Sequence, residues 1–163
     1  STEYVGKDNL DCISHAVCSM AVDVDAKAVV VCSVSGKTAM LVSRFRTPVD
    51  IVGMTTDPKI WRRLSMSWGV TPIMAEQFPS MDVMFYYAKK ATAEVLNLQP
   101  GDNIVLTGGA INGLSGNTDT SASLIFFKST DIEPSYTLLP IYYSIFPAVG
   151  QCNVIYLELK IKI

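Results

Sequence analysis

The sequence predicts an α/β fold, a three-layer sandwich in which a mostly parallel sheet of about five strands lies between helices on both faces. Short apolar segments that favour strands alternate with segments of helical periodicity over residues 9–107. Two glycine-rich loops, residues 33–38 and 108–118, each follow a strand directly. With 163 residues, of which 49% are hydrophobic, the chain is large enough to bury a core of this kind.

The first half of the pattern begins with a helix. Apolar residues recur at helical spacing through residues 9–25, and an Asp or Asn at position 8, 9 or 11 can cap the start of that helix. The apolar run at 28–32 then predicts a buried strand. Residues 38–45 again have helical spacing, and Thr47-Pro48 ends this second helix before a second strand at 49–54.

The third helix, predicted over residues 58–68, has clear boundary signals. Thr56 or Asp57 can cap it, Pro58 suits its first turn, and Gly69 suits its C-terminal stop. Its predicted buried face consists of large apolar side chains: Ile60, Trp61, Leu64 and Trp68. A short third strand follows at 70–75, and Pro72 predicts that this strand lies near an edge of the sheet.

Ser80 is the predicted cap of a fourth helix that runs to about Asn97. The apolar side chains expected to face inward are Val83, Met84, Tyr87, Ala91, Val95 and Leu98. A fourth strand follows at 103–107. Because the strands alternate with helices, their carboxyl ends should share one edge, where both glycine-rich loops could close on one ligand.

The loop after the first strand has the composition of a phosphate-binding turn. Ser33, Ser35 and Thr38 supply hydroxyl groups, Gly36 supplies conformational freedom, and Lys37 supplies positive charge at a helix start. The loop does not form a nucleotide-triphosphate loop of the Walker A type, because the position that requires its first glycine is a valine within the strand. An ordinary strand-to-helix turn, in which Ser and Thr only cap the helix, is the alternative.

Charge and composition exclude several classes of function. A net charge of −2 carries no basic excess, so nucleic acid binding is not expected. The apolar runs are too short for a membrane span and no leader pattern opens the sequence, so a cytoplasmic protein is expected. Cys12, Cys18, Cys32 and Cys152 lack metal-site spacing and have only His15 beside them, so buried or partly buried thiols and no metal site are expected.

Several separate segments resemble the C-terminal domain of pyruvate kinase, in order and at that family's spacing. They lie at 25–31, 35–39, 52–58, 69–72, 100–102 and 107–118. The resemblance covers roughly residues 9–118. It implies a regulatory and assembly domain that binds a phosphorylated allosteric effector and forms a subunit interface of a homo-oligomer.

The same resemblance implies that this chain is not catalytic by itself. Pyruvate kinases transfer phosphate from phosphoenolpyruvate to ADP in a separate barrel domain, and the Mg and K ions of the reaction are expected only in that missing domain. No catalytic residue, metal ligand or cofactor is therefore assigned here. A stand-alone phosphometabolite-binding module and a purely structural interface domain are the alternatives.

By resemblance, the effector's phosphate would bind at Ser33, Ser35, Gly36, Lys37 and Thr38. The family's second effector loop corresponds to Gly108, Gly109, Gly113, Ser115 and Gly116. Members that clamp a second phosphate use a tryptophan and an arginine near the start of the fourth helix, and residues 77–84 contain neither. A sugar monophosphate or a nucleotide monophosphate is therefore the preferred effector.

The resemblance divides the chain into residues 1–120, the pyruvate kinase C-terminal-like domain, and residues 121–163, a divergent tail. The tail can still contribute to the sheet, because residues 124–127 have the composition of a final strand. Further strands are predicted at 136–146 and 154–163, the latter from its alternation of apolar and polar residues.

Overall fold

The computed structural model describes residues 8–108, 123–128 and 155–158. Helices and strands alternate through the first of these ranges. In chain order the elements are α1 (Asn9–Asp23), β1 (Ala26–Cys32), α2 (Lys37–Arg44), β2 (Asp50–Thr55), α3 (Pro58–Leu64), β3 (Val70–Met74), α4 (Met81–Leu96), β4 (Asn103–Gly108), β5 (Ser123–Lys128) and β6 (Ile155–Glu158). The predicted α/β class is thus confirmed.

The strands form one sheet in the order β3-β2-β1-β4-β5-β6. The pairings among β3, β2, β1 and β4 are all parallel, whereas β5 runs antiparallel to β4 and β6 runs parallel to β5. At the carboxyl edge of the parallel part, Cys32 of β1 lies in register with Met54 of β2 on one side and with Gly108 of β4 on the other. The loops that follow these strands therefore begin side by side.

Helices cover both faces of the sheet, and each face has its own apolar core. On one face, Val17 and Ala21 of α1 and Val42 of α2 pack with Val29 and Val31 of β1. On the other face, α4 contributes Phe85 and Ala88 to a cluster with the alternate β1 residues Ala28, Val30 and Cys32. Because β1 is covered on both sides, its sequence is an apolar run and not an alternation.

The predicted N-terminal caps of α3 and α4 and the predicted edge position of β3 are confirmed, whereas α3 ends at Leu64 and not at Gly69 as predicted. Asp57 caps α3 by accepting a hydrogen bond from the Lys59 backbone N–H at 2.7 Å, and Ser80 caps α4 by accepting one from the Val83 N–H at 3.3 Å. β3, which contains Pro72, is the terminal strand of the sheet. A proline is tolerated there because its missing N–H is not required by a second neighbouring strand.

Two predicted buried faces were partly wrong. In α3 only Leu64 is buried, whereas Trp61 and Trp68 are 37% and 50% exposed. In α4, Tyr87 and Val95 are exposed, and Phe85, Ala88 and Thr92 are the buried residues. Apolar residues occur on several sides of α4, so periodicity alone does not select the face that packs on the sheet. Trp68 lies beyond α3, which ends at Leu64.

β5 accounts for the strand expected at 124–127, and β6 lies within the strand expected at 154–163. The strand expected at 136–146 lies outside the described residues, and the division of the chain at residue 120 stays a prediction. Cys18 and Cys32 are buried free thiols, as expected. Cys12 is disulfide-bonded, so the prediction of a thiol was wrong for that residue, and Cys152 lies outside the described residues.

Candidate functional site

The loop that connects β1 to α2 is fixed by hydrogen bonds at its start. The Ser33 backbone N–H donates to the Met54 carbonyl oxygen at 3.0 Å, which extends the pairing of β1 and β2 by one step. The Thr55 hydroxyl donates to the Val34 carbonyl at 3.3 Å, and the Gly36 N–H donates to the Ser33 hydroxyl oxygen at 3.1 Å. The first contact joins the loop to β2, and the second closes the loop on itself.

The helix α2 begins directly after this turn, at Lys37. Its N-cap is Gly36, whose φ of 69° and ψ of 0° place it in the left-handed region, and a glycine has no side chain that could cap the helix. The Lys37 N–H reaches the Ser35 hydroxyl at 3.5 Å, the limit of a hydrogen bond. The hydroxyls of Ser33 and Ser35 thus accept N–H groups at the start of α2, and the alternative interpretation, in which Ser and Thr only cap the helix, stays open.

The conformation of residue 36 and its contact with α3 explain why this residue is a glycine. The residue is buried, and a Cβ built on it would lie 2.6 Å from the Ile60 Cγ2 atom of α3. Both its positive φ and this close approach exclude a side chain. Lys37, the next residue, is exposed to solvent, and Thr38 is half-buried. The charged group of the loop thus lies at the surface while its backbone lies against α3.

The loop lies at the point where the winding of the sheet reverses. From β1 the chain passes through α2, on one face, to β2, whereas α4 on the opposite face leads into β4 on the other side of β1. The carboxyl ends of β1 and β4 therefore border a topological switch point. Open α/β sheets bind their ligands in the crevice at such points.

The second predicted loop begins at this same point. Gly108 ends β4 beside Cys32, and a Cβ on Gly108 would lie 3.2 Å from Met84 Cε and 3.2 Å from Phe85 Cε1 at the start of α4. The other four predicted residues of this loop, Gly109, Gly113, Ser115 and Gly116, lie outside the described residues. That the two loops close on one ligand stays a prediction.

The structure brings the five residues predicted in the first loop into one turn, and it adds Thr55 to them. Thr55 was not predicted, although its position at the end of the strand beside β1 was a signal that could have identified it. Oriented backbone N–H groups at a helix start, together with a lysine ammonium, suit an anionic group. Among the described residues, no group of three or more His, Cys, Asp or Glu residues could hold a metal ion.

The described helices include none with the length and apolar character needed to cross a membrane.

Comparison with known proteins places this architecture in a family. The model of the family "Pyruvate kinase, alpha/beta domain" matches residues 11–122. The pyruvate kinase of Clostridium acetobutylicum is 34% identical over 113 residues, which are 69% of this chain and 24% of that protein. The pyruvate kinase of Lactococcus lactis subsp. lactis is 37% identical over 108 residues, or 66% of this chain and 21% of that protein.

A solved structure of a pyruvate kinase from Cryptosporidium parvum has the same fold as this chain, with a TM-score of 0.63 at 20% sequence identity. The match covers 79% of this chain and 24% of that one. This chain thus spans about a quarter of the length of the relatives that it matches. Because the family's model covers more than half of the chain, this protein belongs to the pyruvate kinase alpha/beta (C-terminal) domain family.

Proposed function

We propose that this chain is the regulatory C-terminal domain of a pyruvate kinase and that it binds the phosphate of an allosteric effector at residues 33–38. One observation supports this proposal above the others. The turn formed by Ser33, Gly36 and Lys37 lies at the topological switch point of the sheet, with a helix start whose N-cap is a glycine and with an exposed lysine. These are the features that an anion site in an α/β sheet requires.

The proposed role is regulation and assembly. Phosphoryl transfer, together with the Mg and K ions that it uses, would belong to the barrel domain of a pyruvate kinase, and no catalytic role is proposed for residues 1–163 themselves. Effector binding would favour one arrangement of subunits and so shift the population of active enzyme. A homo-oligomeric enzyme of glycolysis in the cytoplasm is the setting that this role implies.

The charge of residues 70–88 favours an effector with a single phosphate. Across residues 70–88, which form β3, the following segment and the first half of α4, the sequence contains no Lys or Arg. Glu76 and Asp82 are exposed in this part of the chain. Two carboxylates and no cation would disfavour a second phosphate on this side. A sugar monophosphate or a nucleotide monophosphate therefore suits the site better than a bisphosphate.

Calorimetric titration with ribose 5-phosphate, AMP and fructose 1,6-bisphosphate tests the proposal. Lys37→Ala should weaken the binding of a monophosphate by about 1.5–3 kcal/mol, because a charge-assisted contact is lost. The matched control is Lys90→Ala, which removes an equally exposed lysine from the half of α4 that leads away from the loop. This control should bind as the unchanged protein does.

The outcomes separate the candidate functions. Binding that Lys37→Ala weakens and Lys90→Ala does not would support an effector domain. Binding that is equally strong in both variants would contradict the assignment of Lys37. If folded protein bound none of the three compounds, a purely structural interface domain would be the better description.

A further inference from the structure

In the part of the sheet that the structure describes, β3 is the terminal strand, and the hydrogen-bond pattern shows which of its residues face away from β2. The Ile51 N–H donates to the Gly69 carbonyl at 3.2 Å, and the Ala75 N–H donates to the Thr55 carbonyl at 2.9 Å. Residues 69 and 75 thus direct their backbone groups toward β2. Because successive residues of a strand direct these groups to alternate sides, Val70, Pro72 and Met74 direct theirs outward.

Three features reduce the number of outward groups that an incoming strand could use. Pro72, at the centre of the edge, has no N–H to donate. Its carbonyl oxygen already accepts a hydrogen bond from the Trp61 indole Nε1–H at 3.2 Å. The Val70 N–H donates back to the Ser67 carbonyl at 3.3 Å within the turn that precedes β3. The middle of the edge can therefore donate no hydrogen bond to a new neighbour, and its outward carbonyl is already engaged by Trp61.

Trp61 lies in α3 and leaves 37% of its surface exposed, although large apolar side chains of a helix usually pack inward. Its indole reaches past its own helix to a strand residue eleven positions later. Packing in the core does not explain this placement, whereas the hydrogen bond to the edge carbonyl does. The exposed indole thus has a definite partner at the edge of the sheet.

We infer that Trp61 and Pro72 together close the β3 edge against strand addition, so that a second copy of this chain cannot extend the sheet there. Unpaired edges are templates for association between chains, and proteins block them with prolines and covering side chains. This inference does not depend on effector binding. It also implies that any subunit interface of the chain uses a surface other than the β3 edge.

The double variant Trp61→Phe/Pro72→Thr tests this inference. It keeps an aromatic ring on α3, frees the carbonyl of residue 72 and restores an N–H at the centre of the edge. We expect its self-association constant, measured by sedimentation over a range of concentrations, to rise about tenfold, because two backbone groups become able to bond. Trp61→Phe alone frees only the carbonyl and should raise the constant about threefold.

Two controls locate the effect. Trp68→Phe removes the other exposed indole, whose ring lies under the Arg46 guanidinium, and should associate as the unchanged protein does. Adding Met74→Lys to the double variant places a charge on the edge strand and should abolish the gain. Amide exchange at residues 72 and 74 of the double variant should slow as its concentration rises.

The inference fails if the folded double variant associates no more strongly than the unchanged protein, or if its gain survives the Met74→Lys change. Should the double variant not fold, Trp61→Phe alone decides the question, since a phenylalanine keeps most of the ring's packing. A folded Trp61→Phe variant with unchanged association would then overturn the inference.

Discussion

Gly36 and Ile60 approach so closely that a Cβ on the glycine would lie 2.6 Å from the isoleucine Cγ2 atom. Gly36→Ala should therefore destabilise the protein for two reasons: the left-handed φ of 69° and the steric overlap with α3. The backbone term is about 1–2 kcal/mol, and the overlap adds about 1–3 kcal/mol. The free energy of unfolding in urea measures the sum.

Gly69→Ala is the matched control for this change. Gly69 has nearly the same φ, 66°, but no atom lies within 4 Å of the position that its Cβ would occupy. Gly69→Ala should therefore lower the free energy of unfolding only by the cost of placing an alanine in the left-handed region. Equal destabilisation by the two alanines would mean that Ile60 shifts aside at no cost and that the close packing of the loop on α3 is unimportant for stability.

This contact also illustrates what the sequence could and could not predict. The composition of the loop was enough to predict the role of Gly36 in the turn. It did not show that position 36 has no room for a side chain, because the residue that fills this space, Ile60, is far away in sequence. The same distinction holds for the helices. Caps such as Asp57 and Ser80 are local signals and were predicted, whereas the buried face of α4 depends on its packing against the sheet.

Within the site, local composition was enough to predict the turn from Ser33 to Thr38. It was not enough to predict Thr55, because the contact of its hydroxyl with the Val34 carbonyl arises only when β2 pairs with β1. The switch point likewise depends on strand order, which helical and strand periodicity do not determine. The role of a residue that contacts the loop from a neighbouring strand therefore cannot be predicted from a single sequence.

Asp57→Ala should shorten or loosen α3, because the aspartate oxygen accepts the Lys59 N–H at 2.7 Å. The loss should be about 1 kcal/mol in the free energy of unfolding, as for other N-cap substitutions. Asp57→Asn keeps an acceptor at the same place and should recover most of the loss. If the alanine and asparagine variants were equally destabilised, charge and not capping would be the contribution of Asp57.

Stability should fall in alkali as the buried thiols are forced to ionise. Burial raises the pKa of Cys32 from 9.0 to about 12 and the pKa of Cys18 from 9.0 to about 11. In the unfolded chain both thiols lose their protons near pH 9, whereas in the folded chain they keep them until a higher pH. The unfolded state then binds fewer protons, so the free energy of unfolding decreases as pH rises above 9.

Each thiol should contribute a slope of up to about 1.4 kcal/mol per pH unit in this range, and none well below pH 9. Cys32→Ala removes one of the two contributions. It should lower stability at neutral pH through lost packing, but it should also make the decline above pH 9 shallower than in the unchanged protein. Urea unfolding of the two proteins below and above pH 9 measures the difference. Parallel curves would contradict a buried, protonated Cys32.

Thr55 and Thr92 are both buried, yet their hydroxyl groups are in opposite situations. The Thr55 hydroxyl donates to the Val34 carbonyl and accepts the Asp57 N–H, each at 3.3 Å. The Thr92 hydroxyl, on the face of α4 that packs on the sheet, has no hydrogen-bond partner among the described residues. The same substitution, Thr to Val, removes each hydroxyl while keeping the shape of the side chain. Its effect should therefore have opposite signs at the two positions.

Thr55→Val should cost about 1–3 kcal/mol, because it leaves a partly buried carbonyl and an N–H without their partner. Thr92→Val should be neutral or stabilise the protein by up to about 1 kcal/mol, because a buried hydroxyl that makes no bond is replaced by a methyl group. Urea unfolding of the two variants decides the comparison. A loss of stability in Thr92→Val as large as that in Thr55→Val would show that the Thr92 hydroxyl is bonded in solution. In Thr55→Val, the loop from Ser33 to Gly36 also loses the contact that ties it to β2, so weaker effector binding should accompany the loss of stability.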